Sequence, residues 1–214
     1  PSAIKYGRHQ ITTRVTATLE EPIGYTKQVE SEYPGNRMHL LTKYRYQYVQ
    51  RLAYGLTAEK DPGEQLFRTN QPNGFDFYSG YLQIADLGVL KKAVVGDYQM
   101  QLGQGLLMWS YISNGKSSLI LNTRKRASGI KKYTSADENS FLRGAAATFE
   151  YGKFETTLFA SGKRFDANKL YDSVSMENYF TSFQISGIHA TENQLEDEDA
   201  VQESVFGANT NVRL

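Results

Sequence analysis

The stretch that decides the fold is residues 38–48, which run MHLLTKYRYQY. Its even positions, from Met38 to Tyr48, carry apolar or aromatic side chains apart from one threonine, and its odd positions carry polar or basic ones such as Lys43 and Arg45. Leu41 is the only strong exception. A period of two predicts a β-strand, because successive side chains of a strand point to opposite faces.

The same alternation recurs along the chain, separated by turn signals. Asp61-Pro62-Gly63-Glu64 has the proline and glycine of a type II turn, and Asn73-Gly74 favours a hairpin turn. We therefore expect about eight to ten strands, over residues 9–20, 38–48, 52–58, 75–85, 93–102, 141–151, 153–161, 180–185 and 204–214.

The rest of the chain consists of connections and one predicted helix. Two connections, 114–140 and 162–179, are long enough to indicate a functional role or an internal plug. A helix is expected over residues 191–202, because Thr191 and Gln194 form a capping box.

The composition narrows the function classes. The 214 residues include no cysteine, which excludes disulfides and thiolate chemistry, and the net charge of +1 supplies no strong field for nucleic acid. The longest apolar run, at residues 105–109, falls far short of the ~20 residues of a transmembrane helix. The chain has 15 Tyr and 11 Phe beside a mean hydropathy of −0.52. Strands with one apolar and one polar face reconcile these two properties.

These features favour an all-β fold, an antiparallel transmembrane β-barrel in the outer membrane of a Gram-negative bacterium. Several predicted strands approach the ~9–11 residues that tilted membrane strands need, whereas soluble strands average ~5–6. We expect residues 1–214 to form a single barrel region, truncated at both ends and therefore a fragment of a larger barrel. A soluble β-sandwich or lipocalin-like barrel produces the same alternation and is the alternative.

A membrane barrel assigns different surroundings to the two faces of its strands. We expect the lipid-facing residues to include Val15, Leu19, Leu40, Tyr44, Val94, Tyr98 and Met100. We expect the lumen-facing residues to include Arg14, Lys43, Arg45, Asp97, Gln99 and Gln101.

Several motifs occur in a fixed order from about Lys43 onward. They are Glu59-Lys60-Asp61-Pro62-Gly63-Glu64, Gly74-Phe75-Asp76-Phe77-Tyr78, residues 96–106, Gly115-Lys116-Ser117, residues 133–146 and Ser186-Gly187-Ile188-His189. Together they resemble the barrel region of large Bacteroidota envelope proteins labelled helix-hairpin-helix domain-containing proteins. The resemblance implies an outer-membrane barrel. The modules that give the family its label precede its barrel and are not visible in this sequence, so the resemblance implies no DNA contact and no catalytic residue.

Catalytic and cofactor motifs are absent from the sequence. Gly115-Lys116-Ser117 lacks the earlier glycine of a phosphate-binding loop, because Ser110 occupies that position. His9, His39 and His189 are too widely separated to form a short metal-ligand motif. We therefore predict no catalytic residue, no cofactor and no metal, and the protein is not expected to be an enzyme.

The remaining candidate site is a basic contact loop made of Arg124, Lys125, Arg126, Lys131 and Lys132. Such a run fits anionic glycolipid, an acidic partner, or simply a solvated loop or lumen wall. Nucleic acid is not supported, because no aromatic residue is interleaved before Tyr133. The sequence predicts a transport or assembly component of the outer membrane, with outer-membrane lipid as its partner and other envelope proteins as a further option. A soluble β-rich binding module and an outer-membrane enzyme with a loop-borne active site are the alternatives.

Overall fold

The computed structural model describes residues 6–26, 33–67, 71–72, 74–110, 127–172 and 176–213. These residues form strands, one short 3-10 helix (Ile23–Tyr25) and one short α-helix, α1 (Glu192–Glu196). The strands are β1 (Arg8–Ala17), β2 (Met38–Tyr48), β3 (Leu52–Lys60), β4 (Phe77–Leu87), β5 (Leu90–Gln101), β6 (Gly129–Lys132), β7 (Leu142–Tyr151), β8 (Phe154–Phe165), β9 (Ala167–Asp172), β10 (Glu177–Phe183) and β11 (Val201–Val212).

One large antiparallel sheet contains all of these strands except β9 and β10. Its order is β1-β2-β3-β4-β5-β7-β8-β11, and β6 pairs with β5 outside this path. β9 and β10 form a separate two-stranded sheet. Within the described ranges no pairing joins β1 to β11, so the sheet is open and these two strands are its edges.

The connections between strands differ at the two ends of the sheet. At the turn end, β2 joins β3, β4 joins β5 and β7 joins β8 through residues 49–51, 88–89 and 152–153. Gly88 and Gly152 have φ values of 60° and 58°, which glycine adopts without a steric cost. At the loop end, much longer connections follow β1, β3 and β5, and residues 166–200, which include β9, β10 and α1, separate β8 from β11.

The strand register assigns the side chains to two faces. We call the open face the side that carries Leu56, Leu82 and Val95, and the covered face the side that carries Tyr81 and Val94. β6 and the residues after it pack against the covered face. There Met100 and Ile130 share one buried cluster with residues of the sheet, which are Ala53, Tyr81, Val94, Tyr98, Leu142 and Ala146.

A distortion at Gly96 explains how β6 comes to lie over the covered face. The φ of Gly96 is +97°, and a Cβ atom at this position would lie 2.2 Å from the carbonyl oxygen of Gly80. Only glycine fits such a bulge. Regular pairing of β5 with β4 stops at Gly96, and from Tyr98 onward β5 pairs with β6. The end of β5 thereby leaves the regular sheet and brings β6 over the covered face.

The structure confirms the prediction of an antiparallel, all-β chain with one short helix. Thr191 caps α1, and the predicted capping box with Gln194 is present. The predicted helix range is too long, because α1 ends at Glu196 and β11 begins at Val201. The acidic run at 196–199 explains this end, since negative charge is unfavourable at a helix C-terminus.

Two strands lie inside the connections that were predicted without strands. β6 falls within 114–140 and β9 within 162–179, and β8 continues to Phe165. β6 has only four residues and β9 six, which is too short for a period of two to stand out.

Candidate functional site

The open face carries exposed apolar side chains from one edge of the sheet to the other. They are Ile11, Val15, Leu56, Leu82, Val95, Phe149, Leu158 and Phe206. Ile11 and Phe206, on the two edge strands, are 74% and 85% exposed. Burying such a side chain is worth about 1.5–3 kcal/mol, and monomeric soluble proteins rarely show large continuous apolar patches. This face therefore needs an apolar neighbour.

Aromatic rings gather near the turn end of the open face. The ring of Tyr46 lies with its centroid 4.8 Å from that of His9 and 4.8 Å from that of Tyr54. Tyr151 and Phe154, which flank the β7–β8 turn, are exposed. Aromatic side chains with a polar tip suit a boundary between an apolar and a wet medium.

The covered face buries polar side chains as well as the apolar cluster described above. Its buried polar residues are Thr57, Ser79, Thr148, Thr157, Ser161 and Lys163. The hydroxyl groups of Thr148 and Thr157 share a hydrogen bond of 2.9 Å across β7 and β8, and Lys163 Nζ donates to the carbonyl oxygen of Glu138. Polar groups buried in this way keep hydrogen-bond partners. The sheet thus buries both polar and apolar side chains on its covered face and exposes apolar side chains on its open face.

Cations cluster on the covered face of β1 and β2. Lys43 Nζ and Arg45 Nη2 donate to the same carbonyl oxygen, that of Thr134, over 3.0 and 3.3 Å. Arg14 lies on the same face of β1, opposite Leu41. Lys132, at the end of β6, places its Nζ 5.5 Å from the centroid of the Tyr81 ring. The structure therefore brings Lys132 of the predicted basic loop to three residues that were predicted to face a lumen.

The other predicted site residues have different surroundings. Gln99 Nε2 donates to the carbonyl oxygen of Ser140 over 2.8 Å, and Gln101 Oε1 accepts from Ser128 over 2.5 Å. Both glutamines therefore hold the segment that covers the sheet. Lys131 pairs with Gln99 in the register of β6 with β5. The remaining members of the predicted basic loop, residues 124–126, lie outside the described residues.

Asp97 was predicted to share a lumen-facing side with Lys43 and Arg45, but it lies on the other, open face, where it forms an ion pair with Arg143. Arg143 Nε and Nη2 donate to the two carboxylate oxygens over 2.8 and 3.1 Å. The pair borders a cavity of about 510 Å³, whose walls include Leu56, Tyr78 and Gly80. The Asp97 side chain is buried and that of Arg143 is half exposed.

The prediction that Val94, Tyr98 and Met100 face lipid is wrong. All three are 0% exposed, in the cluster beneath β6, and Val95 is the residue of this strand that is exposed. Alternation groups residues by face, but it does not reveal which face another segment covers. Of the other predicted lipid-facing residues, Val15 and Leu19 are exposed, whereas Leu40 and Tyr44 are half buried.

A second cluster lies at the loop end, around His189. Its Nδ1–H donates to Asp76 over 2.5 Å, its Nε2–H to Asp166 over 3.2 Å, and its backbone N–H to Glu64 over 2.9 Å. Glu138 lines the same cavity of about 250 Å³. His189 and Asp76 are 113 residues apart, so no spacing in the sequence indicates their contact.

The carboxylates of this cluster are unequal. Burial, reinforced by the nearby Asp76, raises the pKa of Glu64 to about 7 and that of Glu138 to about 8. Burial alone would lower the pKa of His189, but the hydrogen bonds with Asp166 and Asp76 raise it to about 11. His189 is therefore a cation at neutral pH, and it joins the loop segments that carry these carboxylates.

Two groups of described residues have side chains that suit a metal ion. Glu64, Asp76 and His189 form one group, and His39, Glu59 and Asp61 form the other, with ligand atoms within 4.8 Å of one another. In both groups the histidine already has a carboxylate partner, at 2.5 Å for His189 and 2.7 Å for His39. At His189 both ring nitrogens contact carboxylates, so an ion there would have to displace a proton from the imidazole.

Comparison of the chain with known protein families, with curated proteins and with solved structures finds no match. Among the described residues, no helix is long and apolar enough to cross a membrane.

Proposed function

We propose that this chain is part of an outer-membrane β-barrel of a Gram-negative bacterium and acts in transport or assembly at the cell envelope. The observation that carries the proposal is that the open face carries exposed apolar side chains from edge to edge, while the covered face of the same sheet buries polar side chains such as Lys163 beside its apolar cluster. Membrane barrels have this arrangement, because lipid replaces the apolar core as the neighbour of one face and a polar interior lies behind the other. Outer-membrane lipid would contact Leu56, Leu82 and Val95.

Three further features support the same function. The eight strands of the main path have nine to 12 residues each, and tilted membrane strands need ~9–11. Short turns at one end and long connections at the other are typical of outer-membrane barrels. The aromatic rings near the turn end suit the headgroup region, where an aromatic belt commonly lies.

The alternative functions fit the geometry less well. A soluble β-rich binding module would leave the open face in water unless a partner covered all of it. An outer-membrane enzyme would need a free base at the loop end, and both ring nitrogens of His189 are engaged by carboxylates.

A thiol-labelling experiment tests the proposal, and the absence of cysteine from the chain removes any background. Leu82 and Gln83 are neighbours on opposite faces, and Gln83 lines a cavity of about 370 Å³ together with Gln47 and Lys92. Leu82→Cys and Gln83→Cys would be expressed singly in outer membranes and treated with a water-soluble maleimide. We expect Gln83→Cys to react in intact membranes and Leu82→Cys to react only after denaturation.

Two results would contradict the proposal. One is rapid labelling of Leu82→Cys in intact membranes, which would mean that the open face is in water. The other is a folded monomer that stays soluble in detergent-free buffer, which would support the soluble binding module instead. Extraction that requires detergent, together with heat-modifiable migration, is the expected behaviour of the native protein.

A further inference from the structure

A small cavity lies on the covered face among β1, β2, β4 and β6. Its volume is about 250 Å³, and it is lined by Arg8, Gln10, Arg45, Gln47 and Lys132 together with Tyr46, Tyr81 and Thr134. The register places Gln10 opposite Arg45 and Arg8 opposite Gln47, so the two strands present these side chains side by side. The cavity is thus lined by cations and by neutral hydrogen-bonding groups.

The cations near this cavity form no ion pair among the described residues. Glu59 acts electrostatically on Lys43, but its carboxylate lies 2.7 Å from the ring nitrogen of His39. In the part of the chain that the structure describes, Arg8, Arg45 and Lys132 take part in no salt bridge, and neither do Arg14 and Lys43. The chain pairs its cations elsewhere, as at the turn end, where Lys91 and Arg213 each contact Glu150 and Glu155. Like charges held together on a partly buried face repel, and a bound anion relieves that repulsion.

The contacts with the covering segment do not use up these cations. Lys43 and Arg45 share the single carbonyl oxygen of Thr134, and Lys132 contacts the ring of Tyr81. An ammonium group has three donors and a guanidinium has five, so most of them are left for a ligand. The contacts with Thr134 therefore use only part of the hydrogen-bonding capacity of these cations.

We infer that the covered face holds a binding site for a small multivalent oxyanion, centred on Arg45 and Lys132 with Arg8 at its edge. The planar fork of Arg45 binds two oxygens of one phosphate or carboxylate group, while lysine acts as a point charge. Gln10 and Gln47 add neutral donors. Cations on three different strands favour a ligand with more than one negative charge. This inference rests on the proposed function, which places the covered face in a lumen. It adds to that function an anionic solute as the ligand.

Titration calorimetry with the detergent-purified native protein tests this site, using inorganic pyrophosphate and citrate as separate probes. The two probes distinguish a phosphate from a carboxylate ligand. We expect saturable binding of at least one probe, weakened by added salt because the interaction is electrostatic. Arg45→Gln and Lys132→Gln should each weaken binding about tenfold, since each removes a charge-assisted contact.

Matched controls are available at the turn end. Arg213→Gln and Lys91→Gln make the same chemical changes at cations that already have carboxylate partners, so they should leave the affinity unchanged. If Arg45→Gln fails to fold, Lys132→Gln and the exposed Arg8→Gln decide the question, with heat-modifiable migration as the check on folding.

The inference is overturned if neither probe binds the folded protein, if binding survives both Arg45→Gln and Lys132→Gln, or if the control variants weaken it equally. These outcomes are distinguishable from failure of the membrane proposal. If the protein binds pyrophosphate but needs no detergent, the anion site is supported and the membrane proposal is contradicted. If the protein needs detergent but binds neither probe, the membrane proposal is supported and the anion site is contradicted.

Discussion

Asp97 and Arg143 meet where two neighbouring strands both depart from regular geometry. Gly96 and Gly144, which face each other in the register, have φ values of +97° and +156°. The departure leaves the backbone N–H of Gly80 without its usual strand partner, and that group donates to Asp97 over 3.2 Å. The carboxylate therefore depends on one guanidinium and one amide, in a site that water barely reaches.

Arg143→Ala should destabilise the fold by about 2–3 kcal/mol, because removing one member of a buried ion pair leaves the other charge uncompensated. The value stays below that of a fully buried pair, since the Arg143 side chain is half exposed. Denaturant unfolding of the detergent-folded protein measures the change.

Arg213→Ala is the matched control for this prediction. Arg213 also pairs with carboxylates, but its side chain is 60% exposed, and exposed pairs contribute ~0–1 kcal/mol. The double variant Asp97→Asn with Arg143→Ala should recover part of the lost stability. Equal effects of Arg143→Ala and Arg213→Ala would show that the Asp97 environment is not special.

At this scale the sequence predicts more about residue types than about contacts. Alternation correctly separates Arg14, Lys43 and Arg45 from the apolar positions of their strands, because that separation depends only on local geometry. The pairing of Asp97 with Arg143 depends on the register between β5 and β7, which the spacing within one strand does not specify. Lys132 reaches the cation cluster only because of the bulge at Gly96.

Ion pairs join the long connections at the loop end, beside a buried aromatic cluster of Phe77, Tyr133 and Phe141. His189 contacts Glu64 and Asp76 of the β3–β4 connection and Asp166, which follows β8. Asp166 also accepts from the backbone N–H of Asp199 over 2.9 Å, just before β11. The protonation states of these groups therefore control how firmly the long connections are joined.

The loop end should become less stable as the pH rises from about 5 to about 8. The pKa of Glu64 is raised to about 7 and that of Glu138 to about 8, so the folded state keeps protons that the unfolded state has lost. A group whose pKa is higher in the folded state stabilises that state fully at a pH below its unfolded-state pKa. This stabilisation is lost as the pH rises through the folded-state pKa. Protonated His189 also stabilises the folded state, but this stabilisation is lost at higher pH, as the pH rises towards the His189 pKa of about 11.

Amide hydrogen exchange, corrected for the intrinsic effect of pH, measures this change in the loop segments. Glu138→Gln mimics the protonated carboxyl and should flatten the dependence, whereas Glu203→Gln, at an exposed position of β11, should leave it intact. Protection that increases from pH 5 to pH 8 would contradict the assignment.

Among the elements, the sequence predicts those with strong local signals. The long strands and the Thr191–Gln194 capping box depend on neighbouring residues, and both are present. β6 and β9 were missed because short strands form only where a longer strand or a partner is available to pair with them. The ion cluster around His189 was missed for a similar reason, since its members come from connections that are distant in sequence.

On the scale of the whole molecule, the two edge strands matter most. Residues of β1 are exposed along its whole length, and β11 is exposed at most positions. Among the described residues each of them has a partner on one side only, which is β2 for β1 and β8 for β11. An unpaired edge invites further strands, and in water it also promotes aggregation.

The open edges lead to the last prediction, which concerns the 214-residue chain on its own. If the open face lies in hydrocarbon, each edge amide without a partner costs several kcal/mol, so the sheet must close or recruit more strands. Eight strands are enough for the smallest membrane barrels, yet β1 and β11 do not pair within the described residues. We therefore expect the isolated chain to aggregate or remain unfolded in detergent, and a chain with additional strands to fold. Size-exclusion chromatography with light scattering and heat-modifiable migration provide the measurement. A monodisperse, heat-modifiable monomer with slow exchange of the edge amides of β1 and β11 would show instead that these two strands pair with each other and complete a small barrel.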